Sequence, residues 1–408
     1  MMASIDTAYP RRLFWICFAV ATVDGFDTLV ISFIAPAFAA EWQLTATQVG
    51  QVFGAGLVGA ALGAVAAGWL ADRVGRRNAL LGSVLLFAVL TLLCAVAPNA
   101  DALMLLRFLA GLGLGGAIPT ITALTAETLP AERRTAAVTR MFLGFPIGAV
   151  VGGALCAAMI DSLGWRSAFW LGGLLGLLLI PLLLSQVRET LQAGHGDGRR
   201  RGSALDLFRQ GRAVPALLLF AAAFLILLVS YFLINWTPSI LVSAGLAERD
   251  AILGGMLLNL GGVVGAIALT TIVDRAPYAL VGSVLLAGAL LILTFGAHLG
   301  SLALAVPLVF ATGMAVIGGQ LALPALAAAL FPKEVRATGV GVTMAVGRLG
   351  SILGPAIGGV LVDANLGSKI LFLIVASPAA AAAVALLLCA WQAGRAGAEA
   401  PRFPGANA

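Results

Sequence analysis

The chain has 408 residues, 61% of them hydrophobic and 10% charged, with a formal net charge of +6 and a mean hydropathy of +1.05. A soluble domain is nearer half apolar and about a quarter charged, so a soluble protein is excluded and a polytopic membrane protein is expected. The basic balance does not point to nucleic acid, because the Lys and Arg residues are sorted by membrane side.

Twelve apolar stretches are long enough to cross a hydrocarbon core roughly 30 Å thick. They run over 13–38, 49–71, 79–97, 102–126, 137–160, 165–186, 213–236, 251–273, 278–297, 302–330, 337–362 and 367–392. Pro324 and several glycines interrupt the tenth and eleventh. With the N-terminus inside, 19 of the 24 Lys and Arg residues lie on inside segments. Arg166, Arg249 and Lys369 lie outside, and Arg107 and Arg348 lie within spans. That bias sets orientation, and an even number of spans puts both termini in the cytoplasm. The first run is long and holds two acids, so it reads as a span and not as a signal peptide. Cys17, Cys94, Cys156 and Cys389 lack metal-ligand spacing and read as small hydrophobes. His195 and His298 read as solvated.

The longest connection, 187–212, is Gly-rich and basic and reads as a cytoplasmic linker between a first half, 1–186, and a second half, 213–392, with 393–408 as a tail. Its arginines suit anionic headgroups. The halves repeat at an offset near 202 residues. Asp72-Arg73 is echoed by Asp274-Arg275, Ala79 to Leu86 by Ala279 to Leu286, and Leu129-Pro130 by Phe331-Pro332. Membrane proteins built from two such halves bind cargo near the midplane, between the repeats.

Three spans carry buried charge. In span one, Asp24 and Asp27 are three residues apart and share a helix face. A charge near the bilayer centre costs at least about 2.5–3.5 kcal/mol, so such residues find partners and face a cavity. Proton carriage and shaping of a binding site are the two duties open to them, with permanent structural pairing as the alternative. Arg107 lies about five residues in from the outer end of span four, and Asp27 about 14 from the inner end of span one. The two fall at similar depth, so they are expected to pair, with the glycines of span four giving span one room to approach. Arg348, in span eleven, has no acid at its depth in its own half. A guanidinium suits a carboxylate, so either cargo or Asp24 supplies its anion.

Between spans two and three stands Gly68-Trp69-Leu70-Ala71-Asp72-Arg73-Val74-Gly75-Arg76-Arg77. This resembles the cytoplasmic signature of the major facilitator superfamily. The resemblance implies an all-α polytopic fold of twelve transmembrane helices in two pseudo-symmetric six-helix halves. It also implies alternating access and a gating network, here read as Gly68, Asp72, Arg73, Gly75 and Arg76, with Asp274 and Arg275 in the second half; Glu127, at the inner end of span four, reads either as part of that charge network or as a solvated helix end. Within that superfamily, Asp24-Gly25-Phe26-Asp27, Arg107 to Gly115, Gly144-Phe145-Pro146-Ile147-Gly148, Gly319-Gln320 and Gly347-Arg348 are similar to the aromatic acid:proton symporters. That resemblance implies that Asp24 and Asp27 are required for transport and Arg348 for substrate. Thr343 stands where it would place a tryptophan.

Phe26, Phe145, Tyr231, Asn235, Trp236 and Gln320 are placed to line a cavity, with helix packing as the alternative for each. Aromatic walls and a few polar groups suit a planar acid, and buried amides need partners. The expected function is a secondary transporter of an inner membrane that imports a small aromatic carboxylate with a proton on Asp27 or Asp24. The proton is the coupling ion and no metal or other cofactor is expected. Partners are a small organic acid and the bilayer, with no nucleic acid, and nothing demands more than a monomer. The alternatives are a carrier of another organic acid, an exporter of amphipathic compounds, and a membrane-embedded sensor. Without a metal cluster, a nucleophile–base set or a phosphate loop, an enzyme is not expected.

Overall fold

The structure, a computed structural model, describes residues 9–128, 137–138, 140–188, 207–208, 212–272, 276–299, 301–332 and 335–395. Thirteen helices are named in chain order: α1 Tyr9–Trp42, α2 Ala46–Val74, α3 Arg76–Cys94, α4 Ala100–Glu127, α5 Gly144–Leu163, α6 Arg166–Gln186, α7 Ala213–Ser243, α8 Glu248–Thr270, α9 Pro277–Ala297, α10 Leu302–Leu321, α11 Leu323–Leu330, α12 Arg336–Asp363 and α13 Ser368–Arg395. Among the described residues there is no strand, and twelve segments are long and apolar enough to cross a membrane. The tenth of these is α10 followed by α11. It breaks just before Pro324, which opens α11 where its missing N–H costs nothing.

Local signals set the ends. Thr45 and Gln48 form a reciprocal capping box at the start of α2. Asn99 Oδ1 accepts from Ala102 N–H at 2.9 Å to start α4. Gly75 turns the chain between α2 and α3 at φ 87°, a conformation that favours glycine. The first span exceeds its expected range at both ends. Past Phe38 it continues because Phe38 and Trp42 pack edge-on against Trp165, with ring centroids 5.9 and 5.3 Å apart.

Packing divides the chain into two units, Met1–Gly196 with Ala247–Met256, and Asp197–Leu246 with Leu257–Ala408. In the first, α1 is the most buried span, with 78% of its apolar window covered. It lies against α5, where Gly25 faces the Phe145 carbonyl and Gly148 faces the Thr22 carbonyl, too close for any side chain. The expectation that the glycines of span four make room for span one is corrected here. Gly111 and Gly115 press α4 onto α2, against the carbonyls of Gly56 and Ala60, and Gly113 and Gly116 face Ser83 and Phe87 of α3. The physical reason is register: those four glycines lie on the α2 and α3 faces of α4, so the close approach happens there.

In the second unit the same contacts recur 202 residues later. Gly59 on the Phe108 carbonyl matches Gly261 on the Phe310 carbonyl, and Gly63 on Leu112 matches Gly265 on Met314. Gly111 on Gly56 matches Gly313 on Leu258, and Gly148 on Thr22 matches Gly350 on Phe224. The internal repeat is therefore one of backbone-to-backbone packing as well as of loop sequence. Small residues are what let membrane helices approach this closely.

Candidate functional site

Asp27 is fully buried on α1 and Arg107 nearly so on α4. Arg107 Nη1 donates to Asp27 Oδ2 at 3.0 Å, and Nη2 donates to the Asp27 main-chain carbonyl at 2.9 Å. The pair expected from their depths is formed. Thr91 on α3 donates its hydroxyl to Asp27 Oδ1 at 2.7 Å. Both carboxylate oxygens thus accept strong bonds, and a charge in a dry interior is offset by an opposite charge three ångströms away. The Arg107 guanidinium also lies 5.9 Å from the Phe169 ring centroid on α6, and its Nε is buried without a partner. Asp24, one helical turn toward the start of α1, is buried too.

This centre breaks the repeat. In the other copy Asp27 and Arg107 correspond to Val229 and Val309, 202 residues on, and Thr91 to Leu291, 200 residues on as for Ala79 and Ala279, and Val229 and Val309 are buried apolar packing. The scaffold is duplicated and the charges are not.

Phe26, one turn above Thr22, is buried in a slot between Gly152 of α5 and Gly172 of α6, with its ring directly against both. Phe145 is half-buried at the start of α5. In the second unit, Arg348 is half-buried on α12. Its main-chain carbonyl accepts from Ser351 Oγ at 2.7 Å, and its guanidinium makes no hydrogen bond or ion pair with another described residue. The glycines flanking it press α12 onto α7, Gly347 against Leu227 and Gly350 against the Phe224 carbonyl. Gln320 is half-buried at the end of α10, and its Oε1 is buried without a partner. Asn235 donates to the Tyr231 carbonyl of its own helix at 2.7 Å. Trp236 is fully buried and its indole N–H donates to the Pro355 carbonyl at 3.0 Å. That bond and its contact with Gly358 make it a clasp between α7 and α12. Thr343 is buried and donates to the Gly339 carbonyl at 2.7 Å.

Of the expected gating residues, Gly75 makes the turn described above, and Gly68 faces open space. Arg73 is exposed and stacks 3.7 Å over the Trp69 ring. Arg76 is half-buried, and its neighbour Arg77 donates to the Leu184 carbonyl at the end of α6 at 2.6 Å. The side chains of Asp72 and Glu127, and all of Asp274 and Arg275, lie outside the described residues, as do most of 187–212 and the tail.

Two groups escaped sequence reasoning. Thr91 is one. The other joins α1 to α6: Glu41 accepts from Trp165 Nε1 at 2.6 Å and from Arg166 at 2.8 and 2.9 Å. An acid and an arginine at span ends were the available signal.

Twelve spans, a duplicated scaffold and buried charges in one copy define a membrane transporter, and the comparisons agree. Residues 16–323 match the Major Facilitator Superfamily profile, and the chain belongs to that family. It is a multi-pass membrane protein and not an enzyme. It is 38% identical to the gallate transporter of Pseudomonas putida, over 93% of this chain and 92% of that one. It is 35% identical to the 4-hydroxybenzoate transporter PcaK of Pseudomonas aeruginosa, again over 93% and 92%. Against the 3-(3-hydroxy-phenyl)propionate transporter of Escherichia coli it is 36% identical, over 86% and 87%. Among solved structures, the xylose transporter XylE from E. coli superimposes with a TM-score of 0.74 at 18% identity, covering 93% of this chain and 96% of that one. A bacterial homologue of the lysosomal transporter Spinster gives 0.74 at 18%, over 96% and 98%. At such identities these two speak for the fold alone.

Proposed function

We propose that this chain imports a small aromatic carboxylate together with a proton, by alternating access of its two six-helix halves, 1–186 and 213–392, joined by the linker 187–212. The observation that carries the reading is the buried Asp27, Thr91 and Arg107 centre, present in one copy of the repeat and replaced by Val229, Leu291 and Val309 in the other. The names of the relatives, transporters of gallate, 4-hydroxybenzoate and 3-(3-hydroxy-phenyl)propionate, support the cargo class.

Asp27 carries the proton, with Asp24 beside it on the same face. Neutralising a carboxylate in a low-dielectric interior removes its desolvation cost. A proton on Asp27 and a carboxylate on the cargo together add no net charge, so the two move as a neutral load. A carrier that binds both then favours the reoriented state, while one holding the proton or the anion alone does not. Arg348 receives the cargo carboxylate, because its guanidinium is otherwise unused among the described residues and its donors match a carboxylate edge. Gln320 Oε1, a buried acceptor without a partner, takes a ring hydroxyl. Phe145 and Asn235 contribute walls, while Phe26 and Trp236 hold the helices that carry them. No cofactor beyond the proton is required. The charges of Asp72, Arg73, Arg76, Glu127, Asp274 and Arg275 form the gate on the cytoplasmic side of an inner membrane, with both termini on that side and the carrier working as a monomer.

The test is uptake of labelled 4-hydroxybenzoate or gallate into proteoliposomes, with and without an inward proton gradient, against a panel of unlabelled acids. Gradient-driven accumulation blocked by aromatic acids is the expected result. Uptake that ignores the gradient, or competition by non-aromatic acids alone, contradicts it.

A further inference from the structure

Thr91 is fully buried on α3, in a run that is otherwise apolar. Helical threonines usually return their hydroxyl to the carbonyl one turn back. Here Thr22 does so on Phe18, Thr120 on Gly116, Thr122 on Ile118 and Thr343 on Gly339. Thr91 instead reaches across to α1 and donates to Asp27 Oδ1 at 2.7 Å. Its methyl lies beside Gly172 of α6, where a Cβ would sit 3.4 Å from Thr91 Cγ2 and 2.9 Å from the Phe26 ring. The glycine at 172 makes room for the Phe26 ring, and a Cβ there would meet the Thr91 methyl only in ordinary contact.

A proton site needs a partner that serves both of its states. Arg107 offers only donors, whereas a hydroxyl both donates and accepts. We propose that Thr91 is the positioning residue of the proton site, donating to Asp27 when the carboxylate is charged and accepting from it when the carboxyl is protonated. The inference rests on the reading of Asp27 as proton carrier. When a proton binds Oδ1, the new O–H donates to Thr91 Oγ1, and the threonine hydrogen rotates away from the carboxyl about the Cβ–Oγ1 bond. Deprotonation reverses both movements. One proton is gained or lost, and no other covalent bond breaks. Arg107 keeps its bond to the Asp27 main-chain carbonyl throughout, so the cation stays in place while the carboxyl changes charge.

Around Asp27 the ionisable groups are Asp24, and further along Cys17, on α1 itself, Arg107 on α4, and Cys94 at the end of α3. On α2 and α6 ionisable side chains stand only at the ends, and α5 carries Cys156 and Asp161 in its later turns. None of these both donates and accepts at Oδ1, which is the place the hydroxyl holds.

The experiment compares Thr91→Val, Thr91→Ala and Thr91→Ser with wild type in proteoliposomes, by gradient-driven accumulation across external pH and by counterflow at equal pH. Counterflow cycles the loaded carrier with its proton in place, and accumulation requires the proton to go on and off. Both hydroxyl-free variants are expected to lose gradient-driven uptake by about tenfold or more, with a displaced pH profile, while counterflow stays near wild type. Thr91→Ser is expected to restore both the rate and the profile. Wild-type behaviour of Thr91→Val or Thr91→Ala overturns the proposal. So does equal loss of accumulation and counterflow in both variants with no rescue by serine, which is what a packing role gives. Wild-type accumulation that needs no gradient instead overturns the reading of Asp27 as proton carrier, so the two failures are told apart.

Discussion

Arg107 holds Asp27 at two points, the carboxylate at 3.0 Å and the main-chain carbonyl at 2.9 Å. The second bond ties the guanidinium to the backbone of α1, so the charge pair also docks α4 on α1. A lysine cannot reproduce two donors in a fixed fork. Arg107→Lys is therefore expected to lower uptake by about tenfold or more. Arg107→Ala leaves a buried carboxylate alone and is expected to cost about 3–5 kcal/mol, read as a lower melting temperature in detergent. The double variant Asp27→Asn with Arg107→Gln is expected to melt above the sum of its single effects.

Asp27→Asn keeps the shape of the side chain and removes the charge that changes. It is expected to abolish accumulation against a cargo gradient while counterflow continues. Measuring both modes on one preparation separates loss of coupling from loss of fold. Loss of both together points to a structural ion pair.

Two glycines at equivalent places in the repeat give a stability prediction. Gly148 lies on the Thr22 carbonyl and Gly350 on the Phe224 carbonyl, with no space for a Cβ. Alanine at either is expected to destabilise by about 1–3 kcal/mol. Gly68 is exposed beside open space, so Gly68→Ala is expected to be neutral or to stabilise by up to about 1 kcal/mol. Thermal melting of the three variants checks the contrast.

Arg348 and Trp236 should separate in the same way. The guanidinium of Arg348 makes no hydrogen bond or ion pair with another described residue, so Arg348→Gln is expected to leave the melting temperature nearly unchanged and remove the upward shift that an aromatic carboxylate produces. Trp236→Phe loses the bond to the Pro355 carbonyl and is expected to cost about 1 kcal/mol while keeping the ligand-induced shift.

The spans were legible because a membrane core imposes length and apolarity on any helix that crosses it. Pro324 was legible as the break for the same reason that it opens α11. Asp27 and Arg107 were legible because buried charges are costly, and residues of opposite sign at one depth have few other partners. Thr91 was not, since a threonine in an apolar helix ordinarily satisfies itself, as Thr22 and Thr120 do. A large aromatic in mid-span suits a cavity wall and a packing slot equally, and sequence does not show that Phe26 lies between Gly152 and Gly172 or that Trp236 donates to the Pro355 carbonyl. The direction of the span-four glycines is not legible, because composition reveals small residues without revealing which neighbour they face.

The most direct measurement is proton movement itself. Proteoliposomes in a weakly buffered medium are given an inward gradient of an aromatic carboxylate, with external pH followed by an electrode. A proton-coupled importer makes the medium more alkaline as cargo enters. A protonophore abolishes the signal, and Asp27→Asn does not produce it. Cargo entry at the wild-type rate with no change in external pH would contradict coupling and leave a uniporter on the same fold.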